Sequence, residues 1–236
     1  QSPSSAASDV YKRQAEYDQH GNLLRAPVRV PSGAAGVMGP GGRLFSAQSV
    51  TNLQTGVVTD LGVAWPDPPN GLAVTEDSMF ATSSSGRLFQ LGHDGSNLTE
   101  IPPPLEGDRY TAVRYTGGDV YVMTFNLVDG ISKFYRIDEA TRELDLEHEM
   151  RCFGGVCARP RDFAIVGDRL FLSRPELPSL AVLSISAGEV LATSSKSGQL
   201  LVTETGDVLI MRRVYGLYAA TYLTQLDDRL REVDES

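Results

Sequence analysis

An all-β chain assembled from a repeated four-strand unit is what this sequence predicts, and three observations predict it. Short apolar segments recur: RLFSA at 43–47, SMFAT at 78–82, DVYVM at 119–123, RLFLS at 169–173 and DVLIM at 207–211. Aligned on their large residues, Phe45, Phe80, Tyr121, Phe171 and Ile210, they stand 35, 41, 50 and 39 residues apart. Glycine or aspartate precedes most of them, at Gly41-Gly42, Gly117-Gly118-Asp119, Gly167-Asp168 and Gly206-Asp207. Such residues supply the positive φ or the Asx turn that a tight hairpin needs. Between these points lie β-branched or aromatic runs bounded by turn residues, such as AVLSIS at 181–186 and LYAATYLTQL at 217–226. A period of about 40 residues with four strands per unit is that of a β-propeller blade.

Each element can then be placed in order. Residues 1–14, QSPSSAASDVYKRQ, are Ser- and Ala-rich, lack an apolar h-region and match no unit. They resemble translated sequencing-adapter sequence and are expected to be a non-native or disordered leader that packs on nothing. On that reading the native chain starts near Ala15, inside a domain, and a signal peptide is not observable. AEYDQHGNLLRAPVRVP at 15–31 has a strand, turn, strand pattern with His20-Gly21-Asn22 as its turn. It reads as the second half of a blade. Five complete four-stranded blades are expected at 33–62, 70–102, 110–150, 161–193 and 198–234. GRLFQLGHDGSNLTEIP at 86–102 is the third strand, turn and outer strand of the second. Leu170-Phe171-Leu172 suits a strand buried on both faces. DEATRELDLEHEM at 138–150, which could pass for a helix, is read as a turn plus an outer strand. With half a blade preceding five, the natural ring is expected to hold about six to eight blades, within the range such rings take.

Composition narrows the function. A hydrophobic content of 41% with 22% charged residues suits a globular protein, and 236 residues suffice for one large all-β domain. With 21 basic against 30 acidic residues the formal charge is −9, which argues against a nucleic-acid partner. No apolar run approaches the roughly 20 residues that cross a bilayer. Arginine supplies 18 of the 21 basic residues, a bias that fits a GC-rich genome, and a bacterial source is expected on that hint.

PNGLAVTEDSMFATSSSGRLFQLGHDGSN at 69–97 resembles the repeat of extracytoplasmic propellers, including the NHL, YWTD-like and SMP-30/gluconolactonase groups. The resemblance implies a periplasmic or secreted protein; its fold hosts enzymes, ligand binders and scaffolds alike. In SMP-30-like lactonases an Asn in a PNG-type sequence joins a divalent-metal site in the central channel, and Asn70 matches it. The aspartate expected at the start of the following blade is replaced by Tyr110, with Asp108 two residues earlier. A hard cation such as calcium wants several converging oxygens. An Asn-Gly turn entering a strand accounts for Asn70 without a metal, so no cofactor is expected.

The remaining chemistry is sparse. His20, His93 and His148 are not paired at metal spacing. Asn97-Leu98-Thr99 is a glycosylation sequon in a turn, idle in a bacterium. CFGGVC at 152–157 closes a small loop, and in an oxidising compartment Cys152 and Cys157 read as a disulfide, with two reduced thiols as the alternative. Links from one blade's outer strand to the next blade's inner strand share a face with the turns between second and third strands. Rigid blades make that face a binding surface. It would carry Trp65, Arg109, Tyr110, Arg151, Arg159, Arg161, Arg174, Arg212, Arg213 and Tyr215, set against Asp67, Glu106, Asp108, Asp129, Asp162 and Glu176. Arginine suits planar anions such as carboxylates. The ligand site is therefore expected at Arg161, Arg174, Arg212, Trp65 and Tyr110, with Asp162 and Glu176 as competitors for the arginines. The expected function is a monomeric, non-catalytic, extracytoplasmic binding module for a small molecule or a protein. The alternatives are a metal-dependent lactonase-like hydrolase and a structural repeat domain of an envelope protein.

Overall fold

The computed structural model describes residues 12–17, 23–30, 36–150, 160–173, 180–196, 198–202, 206–214, 220–226 and 230. It is an all-β propeller. A two-stranded ladder of β1 (Lys12–Tyr17) and β2 (Leu23–Val30) comes first. Four sheets of four antiparallel strands follow. Blade 1 holds β3 (Val37–Gly39), β4 (Arg43–Phe45), β5 (Ser49–Asn52) and β6 (Val58–Asp60). Blade 2 holds β7 (Pro69–Val74), β8 (Ser78–Ser83), β9 (Leu88–Gly92) and β10 (Thr99–Ile101). Blade 3 holds β11 (Asp108–Thr116), β12 (Asp119–Asn126), β13 (Ser132–Ile137) and β14 (Leu144–Met150). Blade 4 holds β15 (Asp162–Val166), β16 (Arg169–Ser173), β17 (Leu180–Ser184) and β18 (Val190–Ser194). Blade 5 is described through β19 (Gln199–Val202), β20 (Val208–Val214) and β21 (Ala220–Leu226).

Each blade is an up-and-down meander because its turns carry the right chemistry. Asn52, Asp94, Asn126 and Asp138 each accept backbone N–H bonds from residues two or three positions on. These are Asx turns, in which the side chain mimics a turn of backbone. Gly117 and Gly118 both have positive φ, which lets Thr116 pair with Asp119 across a two-residue loop. The segment 138–150 is a turn closing into β14, as its place in the repeat requires.

The core lies between blades. Successive residues of a strand point to opposite faces, so each second strand serves two seams. Met79 and Ala81 of β8 pack with Phe45 and Val50 of blade 1, while Phe80 between them packs with Val113, Val120 and Val122 of blade 3. Leu170 and Leu172 of β16 join Met123 and Phe134 of blade 3, and Phe171 faces Leu200, Val208 and Ile210 of blade 5. The first strands β3, β7, β11, β15 and β19 lie side by side in that order.

Two expectations need correction. The leader boundary after residue 14 cuts through β1, since Lys12, Arg13 and Gln14 pair with Val30, Arg29 and Val28. β2 is eight residues long and its backbone accepts partners whatever their side chains. Ile210 is also out of register with the other repeat markers. Phe45, Phe80, Tyr121 and Phe171 all face the following blade, whereas Ile210 faces the preceding one, packed with Phe171 and Leu200. A one-residue slip in alignment flips the face of a strand.

Candidate functional site

The starts of first strands, the ends of second strands and the starts of third strands meet on one face. Asp108 lies opposite Asn126, and Asp162 opposite Ser173, which in turn pairs with Leu180. The links between blades and the turns between second and third strands therefore share that face, as the repeat implies.

Its aspartates differ sharply in their surroundings. Asp108 is buried and tied within its own blade: Asn126 Nδ2 donates to its Oδ1 at 2.8 Å, and Lys133 Nζ stands 3.5 Å from its Oδ2. Lys133 is itself buried. Thr124, opposite Lys133 in the ladder, carries a buried hydroxyl with no hydrogen-bond partner among the described residues. Asp162 is also buried but reaches across blades. It accepts from Arg114 Nη2 on β11, from the Leu200 N–H on β19 at 2.9 Å and from the Phe163 N–H at 2.9 Å. Arg114 Nε also donates to the Phe163 carbonyl at 3.3 Å. Burial raises the Asp162 pKa above the ordinary carboxylate value, against the pull of Arg114 and the two backbone donors. Asp67 is held below its ordinary value, chiefly by the Ser83 and then the Ser85 hydroxyl. Asp129 accepts the Ile131 N–H at 2.9 Å within its turn.

The expected ligand residues fall into three groups. Arg161 is exposed, its backbone N–H donating to the Ser173 carbonyl at 2.9 Å. Arg109 is exposed as well, against the Gly86 turn. Among the described residues no carboxylate pairs with either guanidinium. Trp65 and Tyr110 are packing residues. Trp65 is half-buried, its Nε1 donating to the Ala47 carbonyl at 2.6 Å and its ring edge-on to Phe89 at 5.9 Å. Tyr110 is fully buried between blades 2 and 3, its hydroxyl donating to the Pro102 carbonyl at 2.9 Å. Burial, with Tyr135 and Asp108 close by, pushes its pKa well up. The same burial pushes Tyr135 up to about 12. Arg212 lies in β20 opposite Tyr222. Its side chain, and Arg151, Cys152, Cys157, Arg159, Arg174 and Glu176, lie outside the described residues.

Asn70 is exposed at the start of β7, and its Oδ1 accepts the Thr82 hydroxyl at 3.3 Å. Among the described residues no three His, Cys, Asp or Glu side chains converge on a point where a metal could sit. His93 makes contacts of 3.3 Å with Arg43 Nη2 and with the Ser78 carbonyl. Arg114 is the residue that sequence reading missed. It sits in mid-strand and gives no loop signal, yet it is the partner of Asp162.

No protein-family profile matches the chain, and no curated protein matches it. Solved structures do. A chain of the nidogen–laminin complex is 12% identical with a TM-score of 0.61, the match covering 94% of this chain and 88% of that one. The extracellular domain of a hybrid two-component system from B. thetaiotaomicron is 12% identical with a TM-score of 0.53, over 90% of this chain and 29% of that one. An oligogalacturonate lyase in complex with manganese is 16% identical with a TM-score of 0.54, over 79% of this chain and 54% of that one. This chain thus spans under a third of the two-component-system domain and about half of the lyase. Among the described residues no helix is long and apolar enough to cross a membrane. At these identities the likeness is one of fold, and what the blades and their neighbours together establish is a β-propeller of the kind found in extracellular domains and in enzymes alike.

Proposed function

We propose that this propeller is a non-catalytic extracytoplasmic binding module whose loop-rich face takes an anionic ligand at Arg161. The observation that carries the reading is the state of the acid beside it. Asp162, adjacent in sequence, already accepts from Arg114, Leu200 and Phe163, so it does not compete for the Arg161 guanidinium. An exposed arginine held by a rigid strand end, with its neighbouring carboxylate turned inward, keeps its donors for a carboxylate arriving from solvent. Arg174 and Arg212 would complete the site. Extracellular domains among the structural neighbours support the location. Among the described residues Asn70 Oδ1 meets the Thr82 hydroxyl rather than a converging carboxylate, which favours the binding reading over the hydrolase.

Calorimetric titration of small carboxylates and acidic oligosaccharides tests this, with and without calcium or manganese. Wild type should bind at least one of them, and Arg161→Ala should weaken it by about tenfold, the equivalent of ~1.4 kcal/mol. An Arg174→Ala, Arg212→Ala double variant should weaken it further. Negligible binding by wild type and variants alike would leave the scaffold reading, and binding that requires the metal would favour the hydrolase.

A further inference from the structure

Asp108, Asn126 and Lys133 lie at one end of three neighbouring strands, β11, β12 and β13, and all three side chains are buried. Asp108 stands opposite Asn126 in one ladder and Thr124 opposite Lys133 in the next, so the four share one face of the blade. Asn126 and Lys133 are diagonal neighbours on that face: the Asn126 N–H bonds the carbonyl of Ile131, two residues before Lys133. Diagonal pairs are within reach of a long side chain. A single carboxylate holds both. Asn126 Nδ2 donates to Asp108 Oδ1 at 2.8 Å, and Lys133 Nζ lies 3.5 Å from Asp108 Oδ2. The other end of the amide is fixed as well, since Asn126 Oδ1 accepts the backbone N–H of Val128 at 2.9 Å and that of Asp129 at 3.4 Å. Tyr110 and Tyr135, two residues further along β11 and β13, are buried beside the group. An amine, an amide with two backbone donors on its oxygen, and an acid between the amine and the amide nitrogen are the parts of an acyl transfer.

We infer that Lys133 and Asn126 join in an intramolecular isopeptide bond, with Asp108 carrying the protons. Desolvation penalises a buried ion pair, and moving one proton from the ammonium to the Asp108 carboxylate leaves a neutral amine, the nucleophilic form. The flexible lysine stem carries Nζ to Asn126 Cγ. The Nζ lone pair forms the new bond to Cγ while the carbonyl π pair moves onto Oδ1, against the Val128 and Asp129 N–H groups. Asp108 gives its proton to Nδ2 and takes a second one from Nζ. The Cγ–Nδ2 bond then breaks, its electron pair leaving on ammonia. The products are a secondary amide, one ammonia and a proton on Asp108; nothing is oxidised or reduced. Asn126 is the acyl partner, rather than Asp108, because both backbone donors sit on its oxygen and a carboxylate resists attack by an amine. The bond exchanges a buried ammonium for a neutral amide, and it ties the β12–β13 turn on the loop-rich face to the strand that follows.

Peptide mapping of the full chain, folded and then denatured, tests this by mass spectrometry. Trypsin should fail to cut after the acylated Lys133 and should release residues 115–136 as one peptide, lighter than its sequence by one ammonia. Cleavage before Asp129, which lies between the two linked residues, should leave the two pieces of that peptide joined. Lys133→Arg should restore the full mass. Asp108→Asn keeps the shape of the side chain but takes no proton, and should slow the joining by at least about a hundredfold; circular dichroism shows whether it folds, and the wild-type map decides the matter if it does not. Trypsin cutting freely after Lys133 would overturn the proposal. So would ammonia loss without joined pieces, the mark of a cyclic imide at Asn126 alone, or a link from Lys133 to Asp108 with loss of water. Joining at the wild-type rate in folded Asp108→Asn would overturn the role given to Asp108.

Discussion

Asp108 and Asp162 both open first strands on the same face, and both are buried, yet they hold the molecule together in different ways. Asp108 binds Asn126 and Lys133, which belong to its own blade. Asp162 binds Arg114 from the blade before and the Leu200 N–H from the blade after. The first fixes one sheet; the second couples three. A repeat therefore need not repeat its polar bonds: the apolar seams are alike, while the buried charges are placed for local or for inter-blade work.

The largest effect should come from breaking the local member. Asp108→Ala leaves the Lys133 ammonium buried without its carboxylate, and removing one partner of a buried pair costs about 3–5 kcal/mol. Urea denaturation should show that loss as a shifted midpoint with an unchanged slope. Asp162→Ala should cost less, about 3 kcal/mol, because Arg114 is partly exposed and can turn to water. Its distinguishing sign should be a broadened transition, with native-state hydrogen exchange in β19 quickening more than in β12. Equal broadening by both variants would break the comparison. The smallest effect concerns pH. Asp168 is held below its ordinary pKa first by the Ser184 hydroxyl, then by the Ser186 N–H and hydroxyl. Its contribution is present above the ordinary carboxylate pKa and lost as pH falls through the lowered one. Asp162, raised by burial, runs the other way: the fold holds its proton more tightly than the unfolded chain does, so the pH-dependent part of its contribution is largest in acid and falls as pH rises through the raised value, while its bonds to Arg114, Leu200 and Phe163 remain. Asp168→Asn should thus lower the melting temperature at neutral pH, and the difference from wild type should close in acid. A difference that widened on acidification would reverse the sign.

The repeat, its period and the alternation of strand faces were legible because burial on both sides writes apolar residues at fixed spacing, as at Met79-Phe80-Ala81. The fifth marker slipped because five residues separate Val202 from Val208, so the turn no longer sets the phase. The rim was harder to read. Trp65 and Tyr110 look like exposed loop aromatics, but a loop has no period from which burial can be inferred. The bulge between Tyr110 and Ala112 changes the strand's phase at that position. The pairing of Asp162 with Arg114, rather than with Arg161 beside it, depends on which strand lies alongside β15. Sequence adjacency carries no such information.

The alternation of faces in β8 has a consequence for how the chain is made. Phe80 leaves the ribosome well before Val113, Val120 and Val122, the residues that will cover it. At about 5–20 residues per second, a repeat of about 40 residues takes roughly 2–8 s to synthesise. During that interval a finished blade presents an open apolar wall to the cell. Each blade is completed by its successor, so synthesis that pauses between repeats leaves the newest wall uncovered, and the rate of elongation, as much as the stability of any one sheet, governs how long the nascent chain is exposed to misassembly.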